Sequence, residues 1–125
     1  MMTKKVISVK PSQKLQDVKH LFLGGGFHYN LPVIENDSLK GMVELNDFMF
    51  ALKNAADAST DYSDLTIKDI MREKVKIISP ATSVREVARL FSDGEHHTVM
   101  VAEQGRLQGI VSSADVIRWL INAQG

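Results

Sequence analysis

The sequence contains the same pattern twice. Pro80 lies 69 residues after Pro11. The same offset pairs the apolar positions that follow each proline, and these pairs are Leu15 with Val84, Val18 with Val87, Leu21 with Leu90 and Phe22 with Phe91. Farther along the chain the offset becomes 68, which pairs residues 41–47 with residues 109–115. A repeat that covers nearly the whole chain restricts the fold more than any single motif, because both copies must form the same unit.

Each copy shows the periodicity of a strand, a helix, a hairpin and a second helix. In the first copy, a short alternating strand covers residues 6–9, and apolar residues at helical spacing follow it as far as three glycines at 24–26. The apolar segments 31–34 and 39–44 flank a polar turn that is typical of a hairpin, and a second helix begins at Asn46. This order of elements predicts an α+β fold built from two β-α-β-β-α repeats.

The duplication also defines the expected domain boundaries. We place repeat 1 at residues 1–56, a polar linker at 57–66 and repeat 2 at 67–125. Thr66 and Asp69 have the spacing of a capping box, which predicts that a short helix opens repeat 2.

The segment 109–115, Gly-Ile-Val-Ser-Ser-Ala-Asp, joins an apolar strand to a helix and carries groups that can hold a nucleotide. Unpaired N–H groups at a helix start and the helix dipole favour phosphate. The ionised carboxylate of Asp115 accepts hydrogen bonds and can take both hydroxyls of a ribose. Ser at a helix N-cap and Asp in the first turn are also ordinary at helix starts. The residues alone therefore leave open both a nucleotide site and simple capping.

The two copies together resemble a tandem pair of CBS (cystathionine-beta-synthase) domains, the Bateman module, over nearly the full length. The resemblance is carried by Leu31-Pro32-Val33, by Asp69-Ile70-Met71 and by the two endings at 41–47 and 109–115. The family pattern at those endings is Gly, two apolar residues, Thr or Ser, two variable residues and Asp, and the second copy fits it at every position. The resemblance implies two repeats related by an internal pseudo-two-fold axis. It also implies a cleft between them for an adenosine-type ligand such as AMP, ADP, ATP or S-adenosylmethionine, which regulates an attached or partner protein.

The resemblance assigns candidate ligand-binding residues as well. Asp115 would hold the ribose and Ser112 the phosphate. The other candidates in repeat 2 are a neighbouring hydroxyl, the strand before Pro80 and the start of the next strand, and they are Ser113, Ile77, Ile78, His97, Thr98 and Val99.

In repeat 1 the equivalent ribose position is Asp47, but Glu44 replaces the hydroxyl residue. A carboxylate about 4 Å from a phosphate repels it by about 4 kcal/mol at an effective dielectric constant of about 20. We therefore expect the repeat 1 site to be empty, assisted by a cation, or used by a nucleoside without phosphate.

The composition narrows the classes of function. With 15 basic and 15 acidic residues the formal net charge is zero, so the chain lacks the basic excess expected for binding nucleic acid or an anionic membrane. No apolar run reaches the roughly 18 residues of a membrane span, which makes a cytoplasmic location the default expectation.

There is no cysteine, and the adjacent His96 and His97 would point to opposite faces of a strand, so a metal site is disfavoured. No set of nucleophile, base and orienting residue is evident. We therefore expect no enzymatic activity and no required cofactor, only an adenine nucleotide as regulatory ligand.

The second helix of each copy is apolar on more than one face, over residues 48–52 and 116–121. A surface helix on a small sheet should have one polar face, so the extra apolar face needs a partner. We expect Trp119 to be buried at a contact within the chain or between subunits, and we expect a homodimer together with an unidentified effector protein.

Two alternatives to nucleotide sensing remain, namely an interaction or dimerisation module with a vestigial nucleotide site, and a small enzyme or metal-binding protein that uses the histidine pair.

Overall fold

The computed structural model describes residues 7–23, 30–59, 62–94 and 97–124. The chain divides into two compact units, of which the first comprises residues 7–74 and the second is formed mainly by residues from 75 onward. The elements of the first unit are α1 (Leu15–Leu23), β1 (Asn30–Glu35), β2 (Ser38–Glu44), α2 (Leu45–Asp57) and α3 (Ile67–Ile70). Those of the second are β3 (Ile77–Ile78), α4 (Val84–Phe91), β4 (Thr98–Glu103), β5 (Arg106–Ser112) and α5 (Ser113–Gln124). The predicted α+β class is confirmed.

Both hairpins use the same two-residue turn. Between β1 and β2, Asn36 and Asp37 have φ values of 52° and 63°. Between β4 and β5, Gln104 and Gly105 have φ values of 53° and 79°. Two successive residues with positive φ form the tight turn whose twist matches that of antiparallel strands. The hairpins predicted from the repeat are therefore present in both copies.

The predicted strand before the first helix is reduced to a single pairing. Val9 forms a parallel bridge with Val33, in which its N–H donates to the Pro32 carbonyl at 3.0 Å and its own carbonyl accepts from the Ile34 N–H at 2.8 Å. Val6 and the glycines at 24–26 lie outside the described residues.

The core of the first unit extends beyond repeat 1 of the sequence. The rings of Phe22 on α1 and Phe48 on α2 stack with their centroids 5.0 Å apart. Ile67 on α3 is completely buried in the same cluster, although the duplication assigns α3 to repeat 2. The Ile67 N–H also donates to the Gln13 carbonyl at 2.9 Å. The sequence repeat and the compact unit thus have different boundaries, because the segment before the second copy completes the core of the first.

In the second unit, β3, β4 and β5 form one sheet with β4 in the middle. Strand β3 pairs with β4 in parallel, and β4 pairs with β5 antiparallel. The hydrophobic cluster of this unit comes from α4, β4, β5 and α5, and its buried members are Val87, Val99, Val101, Val111 and Val116. Met100 on β4 is buried as well. Helix α4 is capped by Ser83, whose side chain accepts a hydrogen bond from the Glu86 N–H at 3.2 Å.

Helix α5 leaves an apolar face exposed. Ile117 is 57% exposed, Ile121 64% and Trp119 43%. Of the two contacts expected for Trp119, the one within the chain is not formed, because 43% of this residue is exposed in the single chain. Burial between subunits stays a prediction. Across the part of the chain that the structure describes, no helix is both long enough and apolar enough to cross a membrane.

Candidate functional site

Ser112 and Asp115 cap the start of α5 reciprocally. Strand β5 ends at Ser112, whose N–H and hydroxyl donate to Asp115 Oδ2 at 2.8 and 3.0 Å. In return the Asp115 N–H donates to Ser112 Oγ at 3.2 Å. This is the pattern of a capping box, in which each side chain satisfies a main-chain donor of the other residue. The capping role considered for these residues is therefore real, and a nucleotide would have to bind to groups that already have partners.

The second oxygen of Asp115 has a more labile partner. Arg118 donates to Asp115 Oδ1 at 2.7 Å, one turn along the same helix. The Arg118 side chain is 66% exposed, whereas that of Asp115 is 14% exposed. An exposed ion pair contributes only about 0–1 kcal/mol, so the guanidinium can leave this oxygen at little cost.

The environment keeps Asp115 ionised. Burial raises the pKa of Asp115. The hydrogen bonds from the Ser112 N–H, the Arg118 guanidinium and the Ser112 hydroxyl lower it, and their combined effect is larger than that of burial, so the pKa lies below the usual value. At neutral pH Asp115 is therefore a charged hydrogen-bond acceptor, which is the chemistry that vicinal hydroxyls require.

Other predicted site residues lie at the same end of the sheet. Thr98 is directly opposite Ser112 in the ladder between β4 and β5. The Ser113 N–H donates to the His97 carbonyl at 3.0 Å, while the His97 residue as a whole is exposed. His97, Thr98, Ser112, Ser113 and Asp115 are thus brought together. Since the N–H groups of Ser113 and Asp115 are both engaged, they are not free to bind a phosphate.

The predicted base-binding residues differ in accessibility. Ile77 is 48% exposed and pairs with Met100, two residues farther along β4 than Thr98. Val99 is only 1% exposed and belongs to the core of the second unit. Any contact between Val99 and a ligand would therefore have to come from its main chain.

Ile77 and Ile78 line a surface pocket of about 430 Å³ between β3 and α4. The sequence interpretation missed the remaining lining residues, which are Lys76, Ser79, Thr82, Glu86, Arg89 and Leu90. The lining includes neither Ser112 nor Asp115, so this pocket holds only part of the predicted ligand-binding set. The signal that could have indicated these residues is their position next to the predicted strand and along the predicted helix.

Repeat 1 holds its ribose-position carboxylate differently. Arg72 donates through Nε to Asp47 Oδ2 at 3.0 Å and through Nη2 to Asp47 Oδ1 at 3.0 Å. Its Nη2 also lies 3.5 Å from Glu44 Oε2. The hydrogen bond to Asp47 and the charges of Asp47 and Glu44 raise the pKa of Arg72. Sequence reasoning missed Arg72, although it directly follows the segment Asp69-Ile70-Met71.

The main chain places Arg72 beside β2. The Arg72 N–H donates to the Met42 carbonyl at 2.8 Å, and the Met42 N–H donates to the Arg72 carbonyl at 2.9 Å. A Cβ atom on the neighbouring Gly41 would collide with the Arg72 carbonyl oxygen. Glycine at position 41 is therefore required for this close approach of two main chains.

Metal binding finds no support in the described ranges, which contain no group of three or more His, Cys, Asp or Glu residues placed to hold an ion. His96 lies outside those ranges, so the expectation that the histidine pair does not form a metal site stays a prediction.

Comparisons with known proteins agree with this architecture. The family model described as "CBS domain" matches residues 1–54 and 67–122. An uncharacterized protein of Methanocaldococcus jannaschii is 31% identical over 118 residues, which are 94% of this chain and 41% of that protein. The inosine-5'-monophosphate dehydrogenase of Bifidobacterium longum is 28% identical over 116 residues, or 90% of this chain and 20% of the enzyme. The chain thus spans less than half the length of these relatives.

Solved structures share the fold. CBSX2 in complex with AMP has a TM-score of 0.83 and 25% sequence identity, and the match covers 99% of this chain and 95% of that one. A second structure of CBSX2, from Arabidopsis thaliana, has a TM-score of 0.81 with 22% identity, covering 98% of this chain and 92% of that one.

Proposed function

Because this chain belongs to the CBS domain family, we propose that it is a regulatory module that binds an adenosine nucleotide through the Ser112–Asp115 end of repeat 2. The observation that carries the proposal is an ionised, largely buried carboxylate with one oxygen held only by a movable guanidinium. The AMP bound to CBSX2, a similar protein, supports AMP as the first ligand to test. ATP, ADP and S-adenosylmethionine are the other candidates.

Ribose binding would use Asp115 Oδ1. The two ribose hydroxyls would replace Arg118, while Oδ2 would keep the hydrogen bond from the Ser112 N–H that caps α5. A freed Arg118 guanidinium and the Ser112 hydroxyl, after turning from Asp115, are the donors that could meet a phosphate. Arginine suits this role because its planar fork matches phosphate geometry.

The base would lie against apolar and aromatic surface at the same end of the sheet. Exposed His97 and Ile77 and the half-buried Thr98 support this placement. Ile78, Ser113 and the main chain of Val99 are further candidates for contact.

The module would carry no catalytic activity of its own, and the activity that it regulates would lie in an attached domain or a partner protein. Relatives such as inosine-5'-monophosphate dehydrogenase are several times longer than the matched region, which supports this arrangement.

Native mass spectrometry of freshly purified protein, followed by titration with AMP, ADP, ATP and S-adenosylmethionine, tests the proposal. We expect a mass increase equal to one adenosyl ligand per chain and saturable binding by calorimetry. A bound metal ion without nucleotide would instead favour a metal protein, and no binding of any of the four compounds would contradict the proposal.

A second function, self-association, is favoured by the exposed face of α5. Ile117 and Ile121 are each more than half exposed, and Leu120 is 44% exposed. Large apolar side chains clustered on one helix mark a contact surface on soluble proteins. We therefore also propose that two copies of the chain associate through this face, whether or not nucleotide is bound.

A further inference from the structure

We propose that Arg72 closes repeat 1 to ribose, so that the chain binds one nucleotide and not two. The inference rests on the proposed function, since it takes the Asp at the end of each repeat as the group that holds ribose. Arg72 is thus a specificity-determining residue, because its guanidinium occupies the carboxylate that would otherwise bind ribose.

Both oxygens of the Asp47 carboxylate are held by the Arg72 guanidinium. The Arg72 fork bridges both oxygens, with the Nε and Nη2 contacts each at 3.0 Å, and Nε also lies 3.3 Å from Oδ1. Asp47 Oδ2 also accepts the Glu44 N–H at 3.1 Å. Two parallel hydrogen bonds from a guanidinium form the strongest common pairing of a carboxylate. A ribose would have to displace both bonds, whereas at Asp115 it would displace one.

The main chain holds Arg72 next to its target. Arg72 is 25 residues from Asp47 in sequence, but its N–H and carbonyl are both bonded to Met42 on β2. Close contact at Gly41 leaves this segment little room to shift. The guanidinium therefore starts beside Asp47, and forming the pair requires no further ordering of the main chain, as it would on a mobile segment.

The charges also determine which ligand an opened site would accept. Glu44 and Asp47 carry two negative charges around one guanidinium, with Glu44 Oε2 at 3.5 Å from Arg72. Without Arg72, two uncompensated carboxylates would repel a phosphate, but they would still accept ribose hydroxyls. An opened repeat 1 should therefore take adenosine before AMP, and it should take AMP only if Glu44 is also replaced by a neutral hydroxyl residue.

The test is the stoichiometry of adenosine and AMP binding, measured by calorimetry and native mass spectrometry. The wild type should bind one molecule of either compound per chain. Arg72→Ala should bind two adenosines but one AMP, and the double variant Arg72→Ala with Glu44→Thr should bind two AMP molecules. Arg85→Ala, which removes an exposed arginine of α4, should behave like the wild type. Adding Asp47→Ala to Arg72→Ala should abolish the second adenosine site.

Each outcome decides the matter. One adenosine per chain in both the wild type and Arg72→Ala, with one AMP in the double variant, would overturn the role of Arg72 and leave the proposed function standing. Two nucleotides per wild-type chain would overturn it as well. No binding by any of these proteins would overturn the proposed function and this inference together. Should Arg72→Ala fail to fold by circular dichroism, Arg72→Lys keeps the charge without the fork, and we expect it to show a second, weaker adenosine site.

Discussion

Asp47 and Asp115 occupy the same position in the two repeats, three residues after a strand ends, yet each pairs with a guanidinium from a different part of the chain. Asp115 meets Arg118 one turn along its own helix, at 2.7 Å through a single oxygen. Asp47 meets Arg72 from a segment 25 residues away, through both oxygens. The same backbone arrangement therefore holds two different carboxylates. Asp115 has a partner that is easily displaced from one oxygen, whereas Asp47 is held through both oxygens.

The pKa of Asp115 predicts a defined loss of stability in acid. Because the folded state lowers this pKa, the ionised form stabilises the fold at neutral pH, and that contribution is lost as the pH falls through the folded-state pKa. Asp115→Asn cannot ionise and should be less stable than the wild type by about 0.5–2 kcal/mol above about pH 5. Urea unfolding from about pH 3 to about pH 7 measures the difference, which should shrink below about pH 4. A difference that does not change with pH would contradict the ionised capping role.

Gly41→Ala should destabilise the first unit. The added Cβ would meet the Arg72 carbonyl oxygen, so the main chains at Met42 and Arg72 would have to separate. Overpacking of this kind costs about 1–3 kcal/mol. Lys40→Ala on the same strand is the control, because that side chain is exposed and its loss should change the free energy of unfolding by no more than about 0.5 kcal/mol. Equal thermal melting of both variants would contradict the close approach.

Ile121→Lys should weaken self-association. Ile121 is 64% exposed in the single chain, and burying a lysine without a partner in an apolar contact is costly. We expect the dimer Kd to rise at least about tenfold, which corresponds to about 1.4 kcal/mol. Asn122→Lys adds the same charge at the adjacent exposed position and should have a smaller effect. Sedimentation velocity checks this, and a wild type that remains monomeric at all concentrations would refute the contact.

Local patterns predicted most of the fold. The period of 3.6 residues placed Leu15, Val18 and Phe22 on one buried face of α1, and the apolar runs flanking polar turns placed both hairpins. The location of α3 could not be predicted in this way. Ile67 is completely buried in the first unit, and this depends on long-range packing that no local period encodes.

The site was partly predictable for the same reason. Ser112 and Asp115 lie three residues apart, so their hydrogen bonds follow from helix geometry. Arg72 and Asp47 meet only because two main-chain hydrogen bonds bring a distant segment to β2. Strand alternation could have shown that Val99 points into the core when its neighbour Thr98 does not.

Asp115→Ala separates ligand binding from helix capping. Without ligand, the variant should lose about 0.5–2 kcal/mol of stability because the Ser112 N–H loses its acceptor. AMP at about a hundred times its Kd should stabilise the wild type by about 2.7 kcal/mol. The variant should lose most of this gain, because the ribose hydroxyls no longer have their acceptor. Thermal melts with and without AMP, ADP, ATP and S-adenosylmethionine measure both effects.

Two variants control for capping alone in this experiment. Asp69→Ala removes the same kind of carboxylate, which accepts the Thr66 N–H at 2.8 Å in the first unit. Ser83→Ala removes the cap of α4 within the second unit itself. Both should be destabilised to a similar extent without ligand and should keep the full gain with it, since neither residue lies at the proposed ribose position. If Asp115→Ala gains as much from nucleotide as these controls do, Asp115 only caps its helix. If no protein gains anything, association through α5 becomes the better supported function.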